Sequence, residues 1–414
     1  MNEQSIETGV ESRNLWNHLE EFVRGHIQQF VQRLLVEEVT MRLGRAKSAR
    51  RAAVDAPEGY RNGYGSPRKL TLTCGTITVQ RPRVRGLAER FVSRVLPLCK
   101  RRTKQLGELL PQLYLHGLAL GDFELALRGL LGDGAPLSPA SLQRLKVQWQ
   151  HEYATWKQRR LDDLEGVYVW ADGLYVKAGL EAGKAALLVL IGALTDGRKV
   201  VLAVESGQRE SKESWGAVLR DLRTRGLKPW RCTIADGHLG IWAALAEQQP
   251  TAAEQRCWNH KLLNVLDAIP KKHQTEAKTV LTAMPYVETQ AECERLRDQF
   301  SRRYRTLAPK AVERLHADWE RLVTFYQFPK DHWRHLRTTN VVESPFAAVR
   351  LRTTAGKRYK RVESATALIW KVLQVAEQTF RRLNAPELLP AVYAGLQYVD
   401  GVQSNHVIRQ EVAA

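Results

Sequence analysis

The chain is short of acid. Across 414 residues, 63 lysines and arginines face 44 aspartates and glutamates, a formal charge of +19. So little negative charge favours a polyanionic partner, with nucleic acid first and an anionic membrane surface second. Long apolar runs are also missing. The longest, Ala185 to Ala193, is far too short to cross a bilayer. No basic amphipathic helix with an aromatic face stands out, which sets a membrane-surface protein last. The first residues, Met1 to Asn14, are polar and hold no apolar signal region, so a cytoplasmic protein is expected. Cysteine is sparse and scattered: Cys74, Cys99, Cys232, Cys257 and Cys293. An odd count without a secretory signal argues against a disulfide framework, and the lack of any Cys-x-x-Cys argues against a four-cysteine zinc site. Internal repeats and low-complexity tracts are absent. What is present is apolar content of 44%, enough for packed cores, in a length that suggests two to four domains.

Residues 14–48 read as a helix with a broad apolar stripe from Leu15 to Leu35. It either packs on its own domain or serves to dimerise or to grip DNA. Tyr60 to Gly65 reads as a Gly-rich turn, and Leu70 to Gln80 as a β-hairpin turning at Cys74-Gly75, with Pro82 ending the pairing. From Arg61 to Lys104 there are twelve Lys or Arg and one acid, Glu89. A solvated face would mix its signs. Phosphate contacts are therefore expected here, with Arg61, Arg81, Arg83 and Arg85 as candidates. Three helices follow, near 104–117, 120–132 and 138–150, with Asp122 and Ser138 as N-caps and Gly132-Asp133-Gly134 as a break. They fit a helix-turn-helix module with Arg144 and Lys146 near DNA, or a plain helical connector.

After residue 160 the pattern changes to α/β. Val167-Tyr168-Val169-Trp170 leads to Asp172; Ala185 to Leu194 and Val200 to Ser206 are two more strands. A helix follows at Ser211 to Arg223. A fourth strand from Arg231 to Ala235 then leads to Asp236-Gly237-His238, and a helix runs from Ile241 to Gln248. Beyond Cys257 the chain reads as helical to about Tyr326.

Asp172 and Asp236 each end an apolar β run, where α/β proteins place ligand sites. Two such carboxylates can converge on Mg²⁺, a hard cation that keeps positions open for water and phosphate. Two ions can stabilise the attacking and leaving oxygens of an in-line displacement, with Mn²⁺ as a possible substitute. Glu343 would be the third acid. It precedes a cationic run, Arg350, Arg352, Lys357, Arg358, Lys360 and Arg361, suited to holding backbone phosphates. Pro345 leaves two frames for the helix there. Ser344 is its N-cap, with Glu343 outside; or Asn340 is its N-cap, with Glu343 at the third position in a capping-box spacing.

Taken together, these pieces resemble a known family. They are Tyr60-Arg61-Asn62-Gly63, Tyr114-Leu115-His116-Gly117, Asp172-Gly173-Leu174-Tyr175-Val176-Lys177, Glu213-Ser214-Trp215 and Asp236-Gly237-His238. They continue with Gln255-Arg256-Cys257-Trp258-Asn259-His260-Lys261, Thr338-Thr339-Asn340-Val341-Val342-Glu343 and Val349-Arg350-Leu351-Arg352-Thr353. The chain resembles the Mutator-type transposases of bacterial insertion sequences from about Tyr60 to Leu383. The resemblance implies an α/β ribonuclease-H-like catalytic domain with a helical insertion, beside a mainly helical N-terminal DNA-binding region. It implies an Asp-Asp-Glu triad, here Asp172, Asp236 and Glu343, and a Cys-x-x-His motif on Cys257 and His260. The motif reads as packing and hydrogen bonding, since two ligands do not make a structural zinc site. Trp258, between them, is an alternative candidate for stacking on an unpaired base. His238 is a candidate to assist near Asp236, although a lone histidine is more often structural.

The expected division is a helix at 1–55, a basic hairpin and helical DNA-binding region at 56–155, and a catalytic domain at 160–256 plus 331–383. A helical insertion spans 257–330 and a tail 384–414. The expected function is cleavage of double-stranded DNA at element ends and strand transfer into a target, as a homodimer associated with the nucleoid when bound. The alternatives are a ribonuclease-H-like nuclease without strand transfer and an inactive DNA-binding repressor.

Overall fold

The computed structural model describes residues 18–404, apart from 52, 55–57, 98–99, 120, 132–138, 180–183 and 208. Cys99, Ser138 and the Gly132-Asp133-Gly134 break lie outside the described residues. The chain divides into two compact units, 1–143 and 144–414.

In the first unit, α1 (Leu19–Leu43) ends at Gly44 in the left-handed region, a common helix stop. Its C-terminal half buries Leu35 against Ile77, Val79 and Leu96. Its N-terminal half leaves Phe22 and Phe30 exposed. The hairpin is β2 (Arg68–Leu72) and β3 (Gly75–Val79), closed by Thr73-Cys74, one residue earlier than expected. Two glutamines of α1 bond the hairpin's open edge: Thr78 N donates to Gln28 Oε1 (3.1 Å) and Gln80 N to Gln32 Oε1 (2.9 Å).

Two expectations fail here. Tyr60 to Gly65 is largely a strand, β1 (Tyr60–Tyr64), and Pro82 opens β4 (Pro82–Arg85), paired to β1 through Tyr64↔Pro82. A two-stranded sheet has only edges, where a residue lacking an N–H is tolerated. Helices α2 (Lys104–Leu115) and α3 (Asp122–Leu131) follow, and α4 (Pro139–Lys157), running beyond its expected end, begins at the close of this unit and lies mostly in the second.

The second unit is organised on a five-stranded sheet in the order β7-β6-β5-β8-β9. Strands β5 (Gly166–Val176), β6 (Ala185–Leu194) and β7 (Lys199–Gly207) form an antiparallel meander. β8 (Cys232–Ala235) and β9 (Ala253–Arg256) add in parallel to β5. Between them lie α5 (Lys212–Thr224), N-capped by Ser211, and α6 (Leu239–Gln248). Val169, Ala171, Leu188 and Leu190 bury one face of the sheet against Trp215, Leu219, Leu222, Ile241 and Trp242 of these helices.

A helical stretch then runs through α7 (Trp258–Leu266), α8 (Lys271–Ala283), α9 (Gln290–Tyr304), α10 (Pro309–His316), α11 (Trp319–Val323) and α12 (Trp333–Leu336). The chain returns to the sheet with α13 (Asn340–Gly356) and α14 (Val362–Glu377). Residues 385–404 pack on this unit too: α15 (Leu389–Ala394) buries Leu389 and Val392, and Arg231 donates to the carbonyl of Tyr393.

Candidate active site

Strand alternation sets the geometry. Side chains of β5 point alternately to the two faces. Val169 and Ala171 enter the core beneath α5 and α6. Tyr168, Trp170 and Asp172 therefore share the opposite face. On that face the Tyr168 hydroxyl lies 2.8 Å from His332 Nδ1, and Trp170 Nε1 donates to the carbonyl of His335 (2.9 Å). These two bonds pin the segment before α13 over β5. The next residue on the same face is Asp172.

Asp172 is not at the end of its own strand, contrary to expectation: β5 continues to Val176. The rim is made by its neighbour. Ala171 pairs with Ala235, the last residue of β8, so Asp236 leaves the sheet beside Asp172. Asp236 folds back on its own turn, Oδ1 accepting from His238 N at 3.0 Å, with Gly237 at φ +99°. Only glycine takes that conformation without strain. A β-carbon there would also lie 2.3 Å from Arg256 Nε.

Burial first, and then the charge of Asp236, push the Asp172 carboxyl up to about 7; Glu343 adds to the effect, and a bond from Gly173 N opposes it. Crowded carboxylates in a half-buried place hold their charge poorly without a cation. Their oxygens are the hard donors that Mg²⁺ prefers, and the residues present fit such an ion.

Glu343 is the fourth residue of α13, whose N-cap is Thr339. Neither expected frame holds. Pro345 sits buried inside the helix, where its missing N–H leaves one backbone bond unmade. Thr339 is fully buried and central to a knot of side chains. Its hydroxyl donates to Glu343 Oε1 and lies 3.2 Å from Cys257 Sγ and 3.5 Å from His260 Nδ1. Its backbone N–H also donates to Cys257 Sγ (3.4 Å). His260 Nδ1 is 3.8 Å from Glu343. A hydrogen bond with Cys257 leads the causes that raise the His260 imidazole to about 9, with Glu343 and Asp236 contributing. Among the described residues, Cys257, His260 and Glu343 bring one donor atom each within 4.8 Å of one another; Asp172 and Asp236 are not in that group. The carboxylate of Glu343 is thus tied to the Cys-x-x-His motif, and its charge acts on Asp172.

Other expected residues take varied places. Trp258 is 3% exposed, its indole N–H donating to the carbonyl of Leu322 (2.8 Å) and its ring edge-on to Trp319. Burial removes it as a surface for base stacking. His238 caps α6, its Nδ1 accepting from Gly240 N (3.3 Å). Arg352 is 2% exposed and lies inside its own unit, so it offers no surface to DNA. Arg350, Lys357 and Arg358 are exposed; the Arg358 guanidinium donates to the carbonyl of Gly179. In the first unit, Arg83 and Arg85 are exposed and Arg81 is half-buried. Arg61 binds the carbonyls of Arg45 and Ala46 and the hydroxyl of Thr40, tying the end of α1 to β1. Arg144 is exposed and Lys146 half-buried on α4.

Sequence reasoning missed three groups. Thr339 was visible inside Thr338-Thr339-Asn340, a cap-forming run, but its partners lie about 80 positions upstream. Asp318 accepts from Arg256, Lys261 and Arg321, anchoring the helical stretch beneath β9. Glu210, 6% exposed, lies just before α5, and no motif or spacing singles it out.

The sequence profile described as Transposase, Mutator family matches residues 2–382. The transposase for insertion sequence element IST2 of Acidithiobacillus ferrooxidans is 43% identical over 282 residues, 68% of this chain and 95% of that protein. The transposase for insertion sequence element IS6120 of Mycolicibacterium smegmatis is 41% identical over 300 residues, 72% of this chain and 92% of that protein. Among solved structures, the Drosophila P element transposase strand transfer complex aligns with 70% of this chain and 84% of its own, at TM-score 0.31 and 11% identity. That likeness is too distant to bear on the fold.

Proposed function

Because the chain belongs to the Mutator family of transposases, we propose that it cuts DNA at the ends of an insertion sequence and joins the freed ends to a target. The order of the five-stranded sheet, an antiparallel meander extended by two parallel strands, supports reading it as a ribonuclease-H-like catalytic domain. The observation that carries the chemistry is the pairing of Ala171 with Ala235, which sets Asp172 and Asp236 side by side at the rim. Glu343, whose charge acts on Asp172, is the third acid.

These acids would hold Mg²⁺, which when bound lowers the pKa of water and stabilises charge on phosphate oxygens. The remaining work falls to the chain. Asp172 and Asp236 would fix the cation's place at the rim, beside the reacting phosphodiester. Thr339 and His260 hold the Glu343 carboxylate toward it. The attacking water oxygen bonds to phosphorus, the bond from phosphorus to the 3′-oxygen breaks, and the 3′-hydroxyl and a 5′-phosphate result. In the second step that 3′-hydroxyl attacks a target phosphodiester and another 3′-oxygen leaves. Both steps are in-line displacements, so one site serves both. Arg350, Lys357 and Arg358, exposed near the end of α13, would hold backbone phosphates. Arg83, Arg85 and Arg144 would do so in the N-terminal region, and two copies would bring two ends together.

The test is Mg²⁺-dependent nicking of end DNA, followed by joining from a pre-cut 3′-hydroxyl end. Asp172→Asn, Asp236→Asn and Glu343→Gln should each lower both steps by two orders of magnitude or more, roughly 3 kcal/mol of transition-state stabilisation. DNA binding should persist. Nicking retained in all three variants would overturn the triad; nicking without joining in the native chain would leave a nuclease.

A further inference from the structure

Arg256 closes β9 beside Ala235, the residue that precedes Asp236. Its side chain is 13% exposed, and the proposed reaction gives it no part. Its guanidinium occupies the place where a side chain at Gly237 would go. A β-carbon there would lie 2.3 Å from Nε and 2.6 Å from Cζ. Gly237 is the middle of the turn that aims Asp236. Asp236 Oδ1 accepts from His238 N at 3.0 Å, and His238 in turn caps α6. The same guanidinium is held from the helical stretch, where Nη1 donates to Asp318 Oδ2. Asp318 also accepts from Lys261 Nζ (3.2 Å) and Arg321 Nη1 (3.4 Å). It does so from φ +90°, a region that residues other than glycine rarely enter. The segment after Asp318 is fastened to β9. Gln255 Nε2 (3.0 Å) and Trp258 Nε1 (2.8 Å) both donate to the carbonyl of Leu322, and the Thr324 hydroxyl donates to the carbonyl of Glu254 (2.8 Å).

A backbone in so constrained a conformation persists where its surroundings determine it. Here the surroundings are three cations, and Arg256 is the one packed against Gly237. We propose that Arg256 is a positioning residue of the catalytic site. Clamped by Asp318 of the helical stretch, it braces the Asp236-Gly237-His238 turn and so fixes the aim of the Asp236 carboxylate. This rests on the reading of Asp236 as a catalytic acid given above. It also gives the helical stretch a part in the site: the stretch holds the turn of the second acid through one ion pair. Gly237 is the matching concession in the sequence, since any side chain there would displace the guanidinium.

The test is hydrogen exchange of the full chain in EDTA without DNA, read by mass spectrometry on peptides covering residues 236–240 and, as a reference, β6. Arg256→Gln removes the charge and the flat group over Gly237. It should speed exchange at the turn about tenfold and leave β6 unchanged. In Mg²⁺-dependent nicking the same variant should lower kcat about tenfold with KM for end DNA unchanged, because a misaimed carboxylate fails in the transition state. Arg256→Lys keeps the pair with Asp318 and should recover part of both. Asp318→Asn should act in the same sense as Arg256→Gln. Arg321→Gln loosens Asp318 but leaves Arg256 in place, so it should lower the melting point and change neither the turn nor kcat. Native exchange at the turn in Arg256→Gln would overturn the proposal. Equal acceleration in β6, the mark of a general loss of stability, would also overturn it, as would faster exchange at the turn with a native kcat. Asp236→Asn separates the two levels. If it nicks DNA as fast as the native chain, the catalytic reading of Asp236 falls, while the exchange data still decide whether Arg256 braces the turn.

Discussion

Replacing Asp172 by asparagine should stabilise the cation-free protein, and only above a definite pH. The carboxyl of Asp172 is held at about 7 in the fold against an ordinary value of 3.8, by burial first and by Asp236 second. A raised carboxyl means that the folded state binds the proton more tightly than the unfolded chain. Stability is therefore greatest below pH 4 for this group and is lost as pH climbs from about 4 to 7. Each factor of ten in proton affinity is worth about 1.4 kcal/mol, so the unscreened limit is on the order of 4 kcal/mol. Asp172 is only half-buried at an open rim, where water screens the charge. We expect on the order of 1–2 kcal/mol, within the ordinary reach of a single substitution. At about 2 °C per kcal/mol for a unit of this size, the melting point in EDTA should rise by about 2–4 °C at pH 8. At pH 4 the two proteins should melt together. Adding Mg²⁺ at pH 8 should raise the native melting point and leave that of Asp172→Asn nearly unmoved. Differential scanning calorimetry at both pH values, with EDTA or Mg²⁺, checks this. An Asp172→Asn protein that melts below the native one at pH 8 would refute the idea that uncompensated charge crowds this rim.

Further outcomes follow from other contacts. His260 carries the opposite sign, since its imidazole is raised to about 9. Its stabilisation is present below pH 6.5 and lost between about 6.5 and 9, so His260→Gln should flatten the melting profile in that window alone. Thr339→Val removes the hydroxyl that links Glu343 to Cys257 and His260. Nicking should fall about tenfold or more with the fold retained by circular dichroism, and Thr339→Ser should recover most of it. Replacing Arg350 and Lys357 by alanine should weaken DNA binding and lower its salt slope by up to about two, read by fluorescence anisotropy against salt concentration. Arg352→Ala should instead lower the melting point, because that guanidinium is buried in its own unit. Gly237→Ala should cost at least about 1 kcal/mol of stability by calorimetry, since its backbone lies at φ +99° with Arg256 pressed against it.

The elements that were legible from the residues share one property: their signal is local. The apolar runs of β5 to β8 read as strands, the helix read at Ser211 to Arg223 lies within a residue of α5 at each end, and the return to helix after Cys257 was plain. The strands missed were those that neighbours create. β9, Ala-Glu-Gln-Arg, has no apolar alternation, and only its parallel pairing with β8 makes it a strand. β1 carries an Asn-Gly turn signal, yet β4 holds it extended. Tertiary contact overrides weak local preference in such short segments.

The candidate site divides the same way. The residues themselves nominated Asp172, Asp236 and Glu343 and matched a family, because a carboxylate beside an apolar run, or ahead of a cationic one, is visible along the chain. The contacts that aim those carboxylates are not. The pairing of Ala171 with Ala235 makes the rim, and the bonds of Tyr168 and Trp170 lay the segment before α13 over it. The burial of Arg352 turned an expected DNA contact into packing, and that of Trp258 closed the alternative of base stacking. Chemistry that a residue type carries is written one position at a time. Position and charge environment arise from pairs of residues far apart in the chain, and only the folded structure brings them into contact.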